Sequence, residues 1–142
     1  RRWLLLFVSL GLVGCADSAA RRVEVREARA VLSPEAGAAV ARVYFTLVSR
    51  GKAATLEEVR VAEGAARLRR HAYAEERPVL EAVERLEIPS DLPVRLQPGG
   101  VFLEVELEAR PEPGASLELV LVYGDETTAP VTAPVRAPRG AP

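Results

Sequence analysis

The chain has 142 residues, with 19 Lys and Arg against 20 Asp and Glu, and this length suits one domain that can bury a core without disulfides. Removal of the first 14 residues takes away Arg1 and Arg2, which leaves 17 basic against 20 acidic residues and a net charge of about −3. Because there is neither a basic excess nor a basic stripe, we expect no nucleic-acid partner.

The first fifteen residues, RRWLLLFVSLGLVGC, have the pattern of a bacterial export signal. Two arginines precede an apolar run, Trp3 to Val13, which is too short to span a bilayer as a helix, because a span takes about 20 residues. The run ends in Leu-Val-Gly-Cys, which resembles the bacterial lipobox. This resemblance implies cleavage after Gly14 and lipid attachment to Cys15. The alternative is an ordinary secretory signal followed by a chance cysteine.

Cys15 is the only cysteine of the chain, and a lone thiol in an oxidising compartment needs a chemical fate, which acylation supplies. Acyl chains hold a domain at a membrane surface without a transmembrane helix. We therefore expect a signal peptide over 1–14, a lipidated tether over 15–22, a folded domain over 23–136 and a flexible tail over 137–142. The predicted location is extracytoplasmic, on the periplasmic side of a bacterial membrane. Ala16 rather than Asp after the cysteine favours the outer membrane under the sorting rule that goes with the lipobox.

Short strand-like runs follow, separated by turn signals. Residues 23–31 form the first, and Ser-Pro-Glu-Ala-Gly at 33–37 interrupts it. Residues 39–49 alternate with apolar side chains on both faces, which predicts a central strand covered on both sides. Two further strands are predicted at 56–61 and 66–73.

The second half of the chain continues the pattern. Residues 79–86 suit either a strand or a helical turn, because propensity does not decide between them. Two short strand-like runs follow at 87–89 and 92–96. Pro-Gly-Gly at 98–100 is a strong turn, and the alternation of 101–108 predicts a half-buried strand. Another alternating strand is predicted at 117–123.

A last strand is predicted at 127–135, where Pro130 and Pro134 favour a position at a sheet edge. Eight or nine short strands without a long helix indicate an all-β protein, either a sandwich or a barrel.

Enzymatic chemistry has no support in the sequence. His71 is the only histidine, and with Cys15 used as the anchor no cysteine–histidine pair is available. The sequence contains no nucleophile elbow, no glycine-rich phosphate loop and no Cys-x-x-Cys pair. We therefore expect no catalytic residues and no enzyme activity.

Three separated blocks resemble the periplasmic copper chaperones called PCu(A)C. They are ARVYFTLVSRG at 41–51, VERLEIP at 83–89 and VRLQPGG at 94–100. The blocks occur in that family's order and spacing, and the similarity covers about 23–136. The resemblance implies a cupredoxin-like Greek-key β-sandwich, Cu(I) as cargo, and a protein partner in the copper assembly of cytochrome oxidase.

The family's copper site consists of a His, a Met about eleven positions later, and a His-x-Met after the Pro-Gly-Gly turn, and these soft ligands suit Cu(I). Alignment on the blocks places the four positions at His71, Leu80, Phe102 and Glu104, and the chain has no Met. Of the four family ligands, the resemblance therefore implies that only His71 is retained. The hairpin between His71 and Leu80 is two residues shorter than the family's.

Two functions remain open at this point. The first is a metal-trafficking protein, in which His71 and Glu104 form at most a weak Zn(II) or Cu(II) site if they meet in space. The second is a metal-independent protein-binding module on the same scaffold, docking through Phe102 and an acidic face of Glu104, Glu106 and Glu108. In that case His71 is an exposed strand histidine, and Phe102 caps the former copper position or touches the partner.

Overall fold

The computed structural model describes residues 22–35 and 37–139, and all of its regular elements are strands. The ten strands are β1 Val23–Leu32, β2 Val40–Ser49, β3 Ala54–Val61, β4 Gly64–Ala74, β5 Arg77–Ala82, β6 Leu86–Ile88, β7 Val94–Arg95, β8 Val101–Leu107, β9 Ser116–Tyr123 and β10 Thr128–Arg136. The predicted all-β architecture is confirmed. The count slightly exceeds the expected eight or nine, and the two shortest strands, β6 and β7, overlap the runs predicted at 87–89 and 92–96.

The expected signal peptide at 1–14, the lipidation site Cys15, most of the tether and the last three residues of the tail lie outside the described residues. Within the described part, no helix is long and apolar enough to cross a membrane.

The strands form two sheets. Sheet I has the order β5-β4-β8-β2-β1, with β7 also paired to β2, and sheet II has the order β10-β9-β3-β6. A short parallel contact joins them, in which Ala30 and Val31 of β1 pair with Val135 and Arg136 of β10.

One hydrophobic core lies between the two sheets. Because successive side chains of a strand point to opposite faces, every second residue enters this core. Sheet I contributes Phe45, Leu47 and Leu103, and sheet II contributes Leu119 and Leu121, all of them at most 1% exposed. Burial of each such side chain stabilises the fold by about 1.5–3 kcal/mol.

Strand β2 is central, as predicted, but the cover on its two faces differs. Its inner face packs in the core shared with sheet II. Its outer face is covered by side chains of sheet I itself, under which Tyr44 is only 6% exposed. The expected second layer is therefore a layer of side chains rather than of strands.

The ambiguous segment 79–86 begins as a strand. Strand β5 pairs along its whole length with β4, from Ala74↔Arg77 to Arg69↔Ala82. The two-residue turn consists of Glu75 and Glu76, whose φ angles of 51° and 64° give the left-handed geometry that suits a tight hairpin. Pairing to β4 thus decides what local propensity leaves open.

Strand β10 shows why its prolines are tolerated. The Tyr123 N–H donates to Thr127 C=O and the Val135 N–H donates to Ala115 C=O, so the odd-numbered residues of β10 bond to β9. Pro130 and Pro134 therefore direct their backbone nitrogens to the other side, towards β1, where β10 pairs only at Val135 and Arg136. As predicted, the prolines occupy an edge-like side.

Candidate functional site

The four positions expected from the copper site lie on the outer face of sheet I. His71 of β4 stands directly opposite Leu80 of β5. Phe102 and Glu104 of β8 stand opposite Arg69 and Arg67 of β4. Residues opposite each other, and residues two apart along a strand, share a face. The strand pairing therefore brings His71, Leu80 and Phe102 together. It does not bring Glu104 to His71, because Glu104 stands opposite Arg67, four residues and about 13 Å along β4 from His71.

Phe102 is the buried residue of this group. Its side chain is 0% exposed, although it points away from the core shared by the two sheets. The His71 ring lies 5.2 Å from the Phe102 ring, tilted by 39°, and the Arg42 guanidinium lies 4.6 Å from the ring centre. Neighbouring side chains therefore cover Phe102 completely, and none of its surface is open to solvent.

Glu104 is engaged by a cation. Its Oε1 lies 3.7 Å from Nη2 of Arg69, and the two side chains are 18% and 24% exposed. In the ladder Glu104 also stands between Arg42 of β2 and Arg67 of β4. Of the expected acidic face of Glu104, Glu106 and Glu108, only Glu104 thus stands among arginines. Glu106 stands opposite Val40 and Ala65, and Glu108 lies just past the end of β8.

This donor set does not fit Cu(I). A soft monovalent ion requires thioether, thiolate or several imidazole ligands, and the site offers one imidazole. Leu80 and Phe102 have no donor atom, and Glu104 is already paired with Arg69. In the described part of the chain, no three His, Cys, Asp or Glu side chains are grouped so that they could hold a metal ion.

The residues that the sequence analysis missed are the arginines. Arg42, Arg67 and Arg69 point to the same outer face as Phe102 and Glu104, and Arg29 lies 5.2 Å from the ring centre of Tyr44 on the neighbouring strand. The signal was the period of two in β4, where positions 67, 69 and 71 are all basic or imidazole side chains.

A separate cleft lies at the opposite edge of sheet I, with a volume of about 1420 Å³. It opens where the first halves of β1 and β10 diverge, and Val23, Tyr123 and Asp125 are in its lining. The Tyr123 hydroxyl is buried without a hydrogen-bond partner, and burial, with a smaller effect of Asp125, raises its pKa to about 12. No residue predicted from the sequence as a metal ligand lines this cleft.

Comparison with known proteins gives one family and a consistent fold. The sequence model of the LpqE-like lipoprotein family matches residues 23–135. The search of curated proteins gave no match.

Two solved structures illustrate the fold. The copper-bound PCuAC domain from PmoF2 is 18% identical, with a TM-score of 0.66 over 82% of this chain and 94% of that domain. The Cu(I) form of DR1885 from Deinococcus radiodurans is 21% identical, with a TM-score of 0.65 over 85% of this chain and 83% of that protein. At these identities the likeness concerns the fold, and it confirms the expected cupredoxin-like β-sandwich.

Proposed function

The chain belongs to the LpqE-like family, and from this premise we propose that it is a membrane-anchored, extracytoplasmic, copper-chaperone-like protein that acts through protein contacts. Family membership supports a lipoprotein, with Cys15 as the acylated residue. The shared fold with two domains solved with copper supports a place in copper trafficking. The resemblance of the sequence blocks to the copper chaperones suggests the copper assembly of cytochrome oxidase as the setting.

One observation favours a role in protein contacts over a role in which this chain itself carries the metal. At the position of the family's copper site, a fully buried Phe102 lies beneath Arg42 and Glu104 is paired with Arg69. A cation brought to this position meets guanidinium groups and no sulfur, so both charge and ligand chemistry oppose it.

The test is a competition titration of the full chain with Cu(I) against a chelator. We expect the protein to retain no more Cu(I) than its His71→Ala variant, because a single imidazole does not hold a soft ion in competition. The same titration with Zn(II) tests the weak His71 and Glu104 site, and we expect no difference from the Glu104→Gln variant, because Arg69 occupies the carboxylate. Tight and stoichiometric Cu(I) uptake would overturn the proposal.

The anchor is tested separately by the mass of the N-terminal fragment from membranes. Acylation of Cys15 gives a diacyl or triacyl mass increment, whereas the Cys15→Ser variant should lack the increment and leave the membrane fraction. An unmodified Cys15 at the mature N-terminus would contradict the lipid anchor and leave an ordinary secretory signal.

A further inference from the structure

The outer face of sheet I has an excess of positive charge. Its strands direct six arginines and three glutamates outward in the described part of the chain, namely Arg26, Arg29, Arg42, Arg67, Arg69 and Arg95 against Glu24, Glu104 and Glu106. On sheet II, the outward charges of the strands have the opposite sign in sum, with Glu58, Glu87 and Glu118 against Arg60 and Arg136. The two faces are therefore electrostatically distinct.

Two guanidinium groups of this face lie over aromatic rings. Arg42 lies 4.6 Å from the centre of the Phe102 ring, and Arg29 lies 5.2 Å from the centre of the Tyr44 ring. Stacking uses the flat face of a guanidinium and leaves the N–H groups at its edge free to donate. A stacked arginine also loses less side-chain freedom when it binds a carboxylate.

The donors of this face outnumber the acceptors that the described residues provide. The Nε atom of Arg69 is buried without a hydrogen-bond partner, and its carboxylate neighbour Glu104 is 3.7 Å away, beyond a normal hydrogen bond. Within the described ranges, no carboxylate lies within 4.0 Å of Arg29, Arg42 or Arg67.

The shape of the face indicates the size of the ligand. Arg29, Arg42 and Arg67 belong to three of the four neighbouring strands β1, β2, β8 and β4, which span about 14 Å at a strand spacing of about 4.8 Å. A single small anion cannot reach all of them, whereas a protein surface with several carboxylates can.

We propose that the outer face of sheet I, through Arg29, Arg42, Arg67 and Arg69, docks a partner protein that presents a cluster of Asp and Glu side chains. This inference rests on the proposed function and adds the chemistry of the partner to it. Glu104 provides an internal example, since a carboxylate of this chain already lies against Arg69.

The experiment uses the full chain in non-ionic detergent and a fluorescent deca-glutamate peptide as the probe, with binding followed by anisotropy at low ionic strength. We expect the double variant Arg42→Gln/Arg67→Gln to bind at least about tenfold more weakly, which corresponds to the loss of a charge-assisted pair. Arg60→Gln on sheet II is the matched control and should bind the peptide as the unmodified chain does. Binding should weaken as salt is raised.

Several outcomes would overturn the proposal. They are no binding of deca-glutamate, an equal loss in the Arg60→Gln control, or displacement of the peptide by inorganic phosphate at the same concentration of charge, which would indicate a small-anion site. The Arg42→Lys variant separates stacking from charge, because it keeps the charge and loses the planar group. We expect it to bind more weakly than the unmodified chain, and unchanged binding would contradict the role of the Phe102 stack.

The failure of this proposal is distinguishable from the failure of the proposed function. Cu(I) uptake would overturn the latter without affecting the peptide measurement. Absence of peptide binding would contradict the docking proposal and would not alter the result of the copper titration.

Discussion

The two outer faces of the sandwich come from the same alternation of strand residues, yet they are built differently. On sheet II the outward charges lie close to the solvent, as in the Glu58–Arg60 pair, whose side chains are 54% and 62% exposed. On sheet I an outward aromatic residue, Phe102, is 0% exposed beneath its neighbours. A residue outside the core that is nevertheless fully covered shows that the face of sheet I is a packed layer.

Among the variants that test this difference between the two outer faces, we expect the largest effect from removal of the buried Phe102 ring. Phe102→Ala should lower the free energy of unfolding by about 3 kcal/mol, because it removes a fully covered aromatic side chain and leaves a void under Arg42 and His71. Val120→Ala on the outer face of sheet II is the matched change, and since Val120 is 36% exposed we expect less than about 1 kcal/mol. Urea denaturation of both variants measures the difference.

Equal losses in the two variants would show that the outer faces are energetically alike. In that case Phe102 would contribute no more than an ordinary surface residue, and the description of a packed layer on sheet I would be wrong.

A smaller effect is expected from the ion pairs of the two faces. Glu104→Gln should destabilise the fold by about 1 kcal/mol, because the mostly covered Arg69 would lose its carboxylate neighbour. Glu58→Gln on sheet II should cost about 0–0.5 kcal/mol, because both members of that pair are largely exposed. Thermal unfolding of the two variants, measured in the same buffer, should rank them in this order, and the reverse order would contradict the comparison.

The smallest effect concerns Glu24, at the end of sheet I. Hydrogen bonds from Arg26 and then Arg50 lower its pKa from 4.5 to about 2. A carboxyl group with a lowered folded-state pKa stabilises the fold above the unfolded value, and this contribution disappears as the pH falls from about 4.5 to about 2. Glu24→Gln should therefore flatten the stability profile in this range, as followed by thermal unfolding at several pH values. If the stability of Glu24→Gln depended on pH below about 4.5 as that of the unmodified chain does, the exposed Glu24 would contribute nothing to acid stability.

Most of the fold could be predicted from the sequence because its strands alternate clearly between apolar and polar residues. β8 and β9 show this pattern without interruption, and the structure contains both with ends within two residues of the prediction. β5 was ambiguous because its strand character depends on pairing with β4, which is separated from it only by Glu75 and Glu76.

The location of the candidate site could be predicted from the sequence, but the contacts of its residues could not. Alignment with the copper chaperone blocks located His71, Leu80, Phe102 and Glu104, and the structure places them on one face. What they do there depends on contacts across strands that are distant in sequence, such as Arg42 over Phe102. A basic residue in an alternating strand looks like an ordinary solvated residue until its neighbours are known.

The prolines of β10 have a consequence for how neighbouring molecules meet. Pro130 and Pro134 face the side of β10 that is open along most of its length, and neither can donate a backbone hydrogen bond. In the surface-bound form proposed above, copies diffuse in two dimensions with a common orientation, so their lateral collisions are frequent. Two fewer N–H donors on this side of β10 leave less for a strand of a neighbouring copy to pair with.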